Sequence, residues 1–332
     1  MKRFSSIVYA FMVLVLLVAF TPVLDVNDVS AAGPGHRPWQ IPGDFATIQE
    51  AVDSADVEAG DTIMLAPGNY AGVLLSKSVR LVGKGKVTIN SGPVHGSGLI
   101  QGFRLLAGSE GSSFNNLIFT VDLAIMNGAA VNDVKVDHCT FLNTVQGVSN
   151  WRGSGWKIEH NKIVDLRCRN GGGIGILVGD FAGTTTGVKN NIVAHNDIRG
   201  TLHVSPTDGG GYEGTGIVLY ADFRWGAAGA VAISRNHITN NKIALKSDNP
   251  EVVDVNAIEL TDTRDDETLD CVIFDNSVAF NDLRGTESQI VLTPEKLEDC
   301  NKISRNLGEN RGHGEHPSGL HPEKNHPRGH KP

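Results

Sequence analysis

Four tripeptides carry the side chains best suited to chemistry: Asn150-Trp151-Arg152, Asp180-Phe181-Ala182, Asp222-Phe223-Arg224 and Asp262-Thr263-Arg264. Each follows a short apolar run, at 147–149 (GVS), 175–178 (GILV), 216–219 (GIVL) and 257–260 (AIEL). If those runs stack, the tripeptides form a column of Asn and Asp, a column led by aromatics and a column with three Arg. Their offsets from the run starts, 3, 5, 6 and 5, make the columns ragged. Aromatic faces suit sugar rings, so Trp151, Phe181, Tyr220 and Phe223, with Glu259, are expected to contact a saccharide. Asp180, Asp222 and Asp262 offer the oxygen donors that hard Ca2+ prefers. An ion there could bridge to a uronate carboxylate and acidify the adjacent C–H, leaving Arg224 or Arg264 as the base of a β-elimination. Asp222 and Asp262 could instead be the carboxylate pair of a glycoside hydrolase, at a separation of about 5 or about 6.5–9.5 Å. The plainer alternative is a surface ladder of Asp–Arg ion pairs, each worth roughly 0–1 kcal/mol. Leu177, Val218 and Val291 face outward as an aliphatic strip, with only Glu259 and Tyr220 polar there. That is few carboxylates for a hydrolytic face, and such a strip is expected to be covered by a loop or a partner.

Positioning those side chains falls to a repeated heptapeptide, x-[VI]-x-x-N-x-[ILF]. It occurs at 135–141 (KVDHCTF), 157–163 (KIEHNKI), 192–198 (IVAHNDI), 232–238 (AISRNHI), 277–283 (SVAFNDL) and 302–308 (KISRNLG). Cys139 replaces Asn in the first copy and Gly308 breaks the last. Asn161, Asn196, Asn236, Asn281 and Asn306 are therefore expected to form one buried column. The shortest spacings, 22 and 25 residues, are those of a solenoid. Apolar residues three before and two after each Asn describe strand, bend, strand. Asn tolerates the left-handed backbone that such a bend needs, and stacked coils bring successive amides about 4.8 Å apart. An upstream strand contributes Val148, Ile176, Ile217, Ile258 and Ile290 to the interior. Three short strands per coil around an aliphatic core predict an all-β fold, a right-handed parallel β-helix.

The stretch 44–85 (DFATIQEAVDSADVEAGDTIMLAPGNYAGVLLSKSVRLVGKG) resembles the opening segment of pectin-lyase-like β-helix proteins. The shared pattern is F-x-T-I-Q-x-A-[IV]-x-x-A, then G-D-T-I, P-G-x-Y and a strand ending L-x-G. With the repeats, the resemblance spans 44–310. It implies the β-helix fold, with the Gly-Ile-x-Leu strands in the sheet whose outer face usually carries the active site. It implies no one reaction, because the fold hosts lyases, hydrolases, esterases, epimerases and non-catalytic proteins. The deciding family motifs are missing. Val136-Asp137-His138 resembles part of the pectate lyase Asp-His signature, but no R-x-P-x-x-R follows. Asp265-Asp266 lacks the companions of a polygalacturonase, and the methylesterase and epimerase motifs are absent.

The domain reading is a secretion signal at 1–32, a linker at 33–43, the β-helix at 44–310 and a disordered His/Pro-rich tail at 311–332. Lys2 and Arg3 precede an apolar stretch of about 14 residues, shorter than the ~20 that span a bilayer, and a small-residue cleavage site follows at 29–32. Loss of the signal removes two basic and two acidic residues, so the formal charge of −8 is kept. An acidic chain is a poor non-specific partner for nucleic acid or anionic membrane. Thr47 and Glu50 form a capping box for a helix over 46–56, expected to cover the first coil. Cys271 and Cys300, both after Asp and in consecutive coils, are expected to form a disulfide, with Cys139 and Cys168 remaining thiols. The insertion 199–213, with His203, Asp208 and Glu213, could wall a groove. The tail's His313, His316, His321, His326 and His330 lack the spacing of a defined metal site and suit only weak Zn2+, Cu2+ or Ni2+ binding. Function reads as a secreted or cell-surface protein that binds polysaccharide without strong catalysis. The alternative is a divergent polysaccharide lyase or glycoside hydrolase acting on uronate-containing glycan, with Ca2+ as its possible cofactor.

Overall fold

Period-two runs of Val, Ile and Leu cut by sharp bends cannot close a core alone, so each coil buries its inner residues against its neighbours. The computed structural model describes residues 37–169, 173–181, 187–204, 214–224 and 231–308. The expected signal at 1–32 and tail at 311–332 lie outside them, as do Ala182, Asp208 and Glu213. The strands stack into parallel sheets of 10, 8, 7 and 3 strands, a right-handed parallel β-helix. One coil runs Lys135–Asp137, Thr140–Thr144, Gln146–Trp151, and the next repeats it as Lys157–Glu159, Lys162–Cys168, Ile174–Asp180. Val148, Ile176, Ile217, Ile258 and Ile290 stand in one register. The first four are fully buried, and Ile290 is half-buried on the edge strand Ser288–Thr293.

The chain joins the first sheet earlier than expected. Trp39–Ile41, inside the stretch read as a linker, pairs in parallel with Ile63–Leu65. The helix is shorter than the expected 46–56, covering Ile48–Asp53, because Ser54 turns extended. Half of its capping box is formed, the Glu50 N–H donating to Thr47 Oγ1 at 3.1 Å, while Glu50 Oε2 reaches one residue further back and accepts the Ala46 N–H at 3.0 Å. Ile48, Ala51 and Val52 join the core beneath it.

Two buried Asn ladders run through the stack, not one. In the first, Asn161, Asn196, Asn241, Asn281 and Asn306 follow one another, headed by the Cys139 N–H on Asn161 Oδ1. In the second, Asn150 leads to Asn191, Asn236, Asn276 and Asn301. Asn236 therefore leaves the column assigned to it and Asn241 takes the place. Ile238, not Ile233, stands in register with Val193 and Val278. Asn196 shows the geometry. Its Nδ2 donates to Asn241 Oδ1 at 2.9 Å and to the Ile158 carbonyl at 2.9 Å. Its Oδ1 accepts the N–H of Asn161 and an Nδ2 hydrogen of Asn161, both at 3.0 Å. Both amide hydrogens and both lone pairs are used, which buried amides require.

The left-handed conformation is carried by the residue before the ladder position at most bends, Asn150 and Asn301 excepted, and not by the Asn itself. His138, His160, His195, Asn240, Phe280 and Arg305 have φ of 52 to 61° before the first ladder, and Asn190, Arg235 and Asp275 have 55 to 58° before the second. The bend throws these side chains outward and leaves the amide inside.

Cys271 and Cys300 form a disulfide with a Cα separation of 6.5 Å, joining the last two coils. Cys139 and Cys168 are buried thiols. Burial pushes the Cys139 thiol up to about 12, which makes it inert at neutral pH.

Replacing Asn241 or Asn236 by Leu should each destabilise the fold by about 1–3 kcal/mol, because the neighbouring amides lose partners in a dry interior. Urea unfolding measures this, and equal costs at both positions identify both ladders. Reducing the disulfide should cost about 3–4 kcal/mol in the chain-entropy account for a loop of this length, read as a lower urea midpoint in dithiothreitol.

Candidate functional site

The candidate site lies along the C-terminal ends of the eight-stranded sheet. Strand alternation decides which side chains leave the core there. Trp151, Gly179, Tyr220, Thr261 and Thr293 share one register. Trp151 and Tyr220 lean together over Gly179, with ring centroids 6.1 Å apart. The glycine permits this approach, since a Cβ at 179 would meet Trp151 Cζ3 at 3.1 Å and the Tyr220 carbonyl oxygen at 2.7 Å. Phe181 adds an edge-on contact to Trp151 at 5.3 Å. Guanidinium groups sit on the rings: Arg152 at 4.6 Å from Phe181, Arg224 at 5.8 Å from Tyr220 and Arg264 at 4.5 Å from Phe223. Trp151, Phe181, Tyr220 and Phe223 are each half-buried.

The three carboxylates expected to line this edge do not form one column, because Asp222 is out of register with the other two. Asp180 is in register with Ala221, and Ala221 with Asp262. Asn150 is in register with Val178, and it heads the second ladder. Asp222 lies one residue beyond the Asp180 register. Counting along the strands from the inward Ile176 and Ile258, Asp180 and Asp262 fall on the inward side, and they are 0% and 4% exposed. Asp222, 2% exposed, is held by its own turn. Its Oδ1 accepts the Arg224 N–H at 3.1 Å and Nε–H at 2.9 Å, and its Oδ2 accepts Nη2–H at 2.9 Å. Asp262 does the same with Arg264, Oδ1 taking the N–H and Nε–H at 3.0 Å. Asp282 and Arg284 repeat it.

This geometry corrects three expectations. Asp180, Asp222 and Asp262 do not gather as a Ca2+ site: among the described residues, the one group of three or more such ligands with donor atoms within 4.8 Å of one another is Asp137, His138 and His160. Asp222 and Asp262 are committed to bidentate pairs, which removes them as hydrolytic acid and base. Arg224 and Arg264 are the other halves of those pairs. The hydrogen bond to Asp262 raises the Arg264 pKa above its ordinary value, away from what a base requires.

Glu259 stays on the outer face, in register with Val218 and Val291. Its Oε2 accepts the Thr215 hydroxyl at 2.8 Å, and its Oε1 accepts the Thr261 hydroxyl. Leu177 and Val218 face outward but are each only 2% exposed, so that part of the aliphatic strip is covered within the chain, while Val291 on the edge strand is half-buried. His203 sits apart from the aromatic edge, with Nδ1 3.0 Å from Asp248. The Asp-x-Arg turn could have been found from D-F-R, D-T-R and D-L-R in successive coils. No sequence signal marked Gly179 as the seat of the indole.

No family model matches the chain, and no curated protein does. Among solved structures, the chain is similar to the catalytic domain of a GH87 α-1,3-glucanase in complex with tetrasaccharides. That match has a TM-score of 0.32 and 13% identity, over 83% of this chain and 70% of that one. A second, in complex with nigerose, has a TM-score of 0.31 and 14% identity over the same shares. At this distance the likeness carries no argument about the site or its ligand.

Acid should open the Asp282–Arg284 turn in a defined window. The Arg284 hydrogen bond lowers the Asp282 carboxyl to about 2 from an ordinary 3.8. A depressed folded-state pKa contributes stability that is complete above the unfolded value and lost as pH falls towards the folded one. The contribution of Asp282 is therefore whole above about pH 4 and gone near pH 2. Asp282→Asn should flatten the stability-versus-pH curve across that window and leave it unchanged in slope at pH 6–8.

Proposed function

We propose that this chain is a secreted or cell-surface β-helix protein that binds polysaccharide along its aromatic edge and does not turn it over efficiently. One observation carries the reading: Trp151, Phe181, Tyr220 and Phe223 interleave with Arg152, Arg224 and Arg264 on one edge, while the buried Asp222 and Asp262 beside them are taken by arginine. At about 4.8 Å per rung, four rungs span roughly 14 Å, a length suited to an oligosaccharide segment and not to a single sugar. Half-buried rings stack on the apolar faces of pyranoses. Planar guanidinium groups add N–H donors for hydroxyl or carboxylate oxygens. Export is supported by the charged, apolar and small-residue pattern of 1–32 and by the Cys271–Cys300 disulfide, which suits an oxidising compartment.

The test is affinity electrophoresis and calorimetry against a panel of neutral and uronate-containing polysaccharides. At least one should bind, and Trp151→Ala should weaken that binding roughly tenfold, ~1.4 kcal/mol, with the urea midpoint nearly unchanged. Asp222→Asn should leave binding within about twofold, under ~0.5 kcal/mol. Steady production of new reducing ends, or of ultraviolet absorbance from an unsaturated product, would overturn the non-catalytic reading. Absence of binding across the panel would overturn the site.

A further inference from the structure

A second cluster sits at a different corner of the coil, where the strands of the ten-stranded sheet turn into those of the seven-stranded sheet. His138, His160 and His195 are the left-handed residues of three successive bends, with φ of 52, 55 and 56°. Their rings stack outward at 5.1 Å spacing, tilted by only 17° and 5°. Asp137 ends the strand before the first of them. Its Oδ1 lies 2.9 Å from His138 Nδ1 and 3.2 Å from His160 Nδ1. Its other oxygen accepts from Asn115 Nδ2 at 3.3 Å and faces Lys135 Nζ at 4.0 Å. One carboxylate oxygen and two imidazole nitrogens thus meet at one point, with the carboxylate steadied from behind.

We propose that Asp137, His138 and His160 form a solvent-facing site for a borderline divalent transition-metal ion of the Zn2+ class. Two imidazoles and a carboxylate are a donor set for such ions and not for Ca2+ or Mg2+, which take oxygen. Zinc–ligand bonds of about 2.0–2.1 Å in a tetrahedron place donors roughly 3.3–3.4 Å apart. The oxygen–nitrogen distances of 3.2 and 2.9 Å are close to this and somewhat short of it, and the full set lies within 4.8 Å. Both imidazoles stand on the surface, 62% and 49% exposed, where their rings have room to adjust to an ion. Asn115 is the kind of second partner that orients a ligating carboxylate. The fourth position faces solvent. The ion would bridge two coils 22 residues apart in sequence and would leave the aromatic edge untouched.

The experiment is equilibrium dialysis of the full chain with Zn2+, and titration with Co2+ followed by visible absorption. A background variant with His313, His316, His321, His326 and His330 all changed to Ser removes the tail's own affinity. In that background one Zn2+ per chain should remain bound, Co2+ should give ligand-field absorption, and Zn2+ should raise the melting temperature. Asp137→Asn or His160→Asn in the same background should weaken Zn2+ roughly 10–100-fold and abolish the Co2+ bands. Asn is chosen at 160 because it tolerates the left-handed backbone. If Asp137→Asn fails to fold, His138→Asn serves in its place. Loss of all stoichiometric binding in the tail variant, or binding that survives both Asn substitutions unchanged, would overturn the proposal. Polysaccharide affinity should not change in any of these variants.

Discussion

The side-chain amide of asparagine is nearly a peptide group, and stacked at rung spacing it behaves as one more strand of hydrogen bonds turned along the helix axis. Asn161, Asn196, Asn241, Asn281 and Asn306 place such a strand at one corner, and Asn150, Asn191, Asn236, Asn276 and Asn301 at another. A bend buried in an apolar section would otherwise strand backbone groups away from water at a cost of about 1–3 kcal/mol each. The amides answer that need inside, and the sharp turn is delegated to the preceding residue. Left-handed backbone costs roughly 1–2 kcal/mol at a non-glycine residue, a penalty the fold accepts at bend after bend because each one secures an interior amide.

That division of labour at the corner creates one of the two surface features with chemical promise, and the end of the eight-stranded sheet creates the other. A left-handed residue points outward, so consecutive corners present whatever they carry as a vertical file. His138, His160 and His195 are such a file. At the far end of the eight-stranded sheet the strands run out of inward-facing room, and Trp151, Tyr220 and the Arg residues spread over the edge. There the acidic partners are pulled into their own turns. The aromatic edge is therefore a stacking surface whose charges are largely compensated locally.

Much of this was legible in the sequence, and the failures have physical causes. Val148, Ile176, Ile217, Ile258 and Ile290 align as expected because β-branched residues at fixed offsets leave one way to stack. Asn236 was misplaced because Ile233, Ile238 and Ile243 are five residues apart with Asn236 and Asn241 between them. Ile238 closes one copy of the pattern and opens the next, so the frame is degenerate in sequence and only the neighbouring coils resolve it. Asp180, Asp222 and Asp262 were aligned by residue type after an apolar run. A shift of one residue moves a side chain to the opposite face of a strand, so similarity of tripeptides was a poor guide to shared exposure. The His138–His160 pairing is written in the repeat, since His138, His160 and His195 all fill the fourth position of successive heptapeptides, but Asp137 joins them only through the pitch of the coil.

Successive amides of the first ladder are separated by 35, 45, 40 and 25 residues in the chain, yet each makes the same contact. The coil's circumference is thus fixed by two short asparagine corners, while the chain between them is free to lengthen at the turns. Such a molecule can diversify the way a bound notebook does, by letting a page unfold further at its outer margin without disturbing the spine. Differences in length between coils are absorbed in the turns, and the register of the scaffold passes through them unchanged.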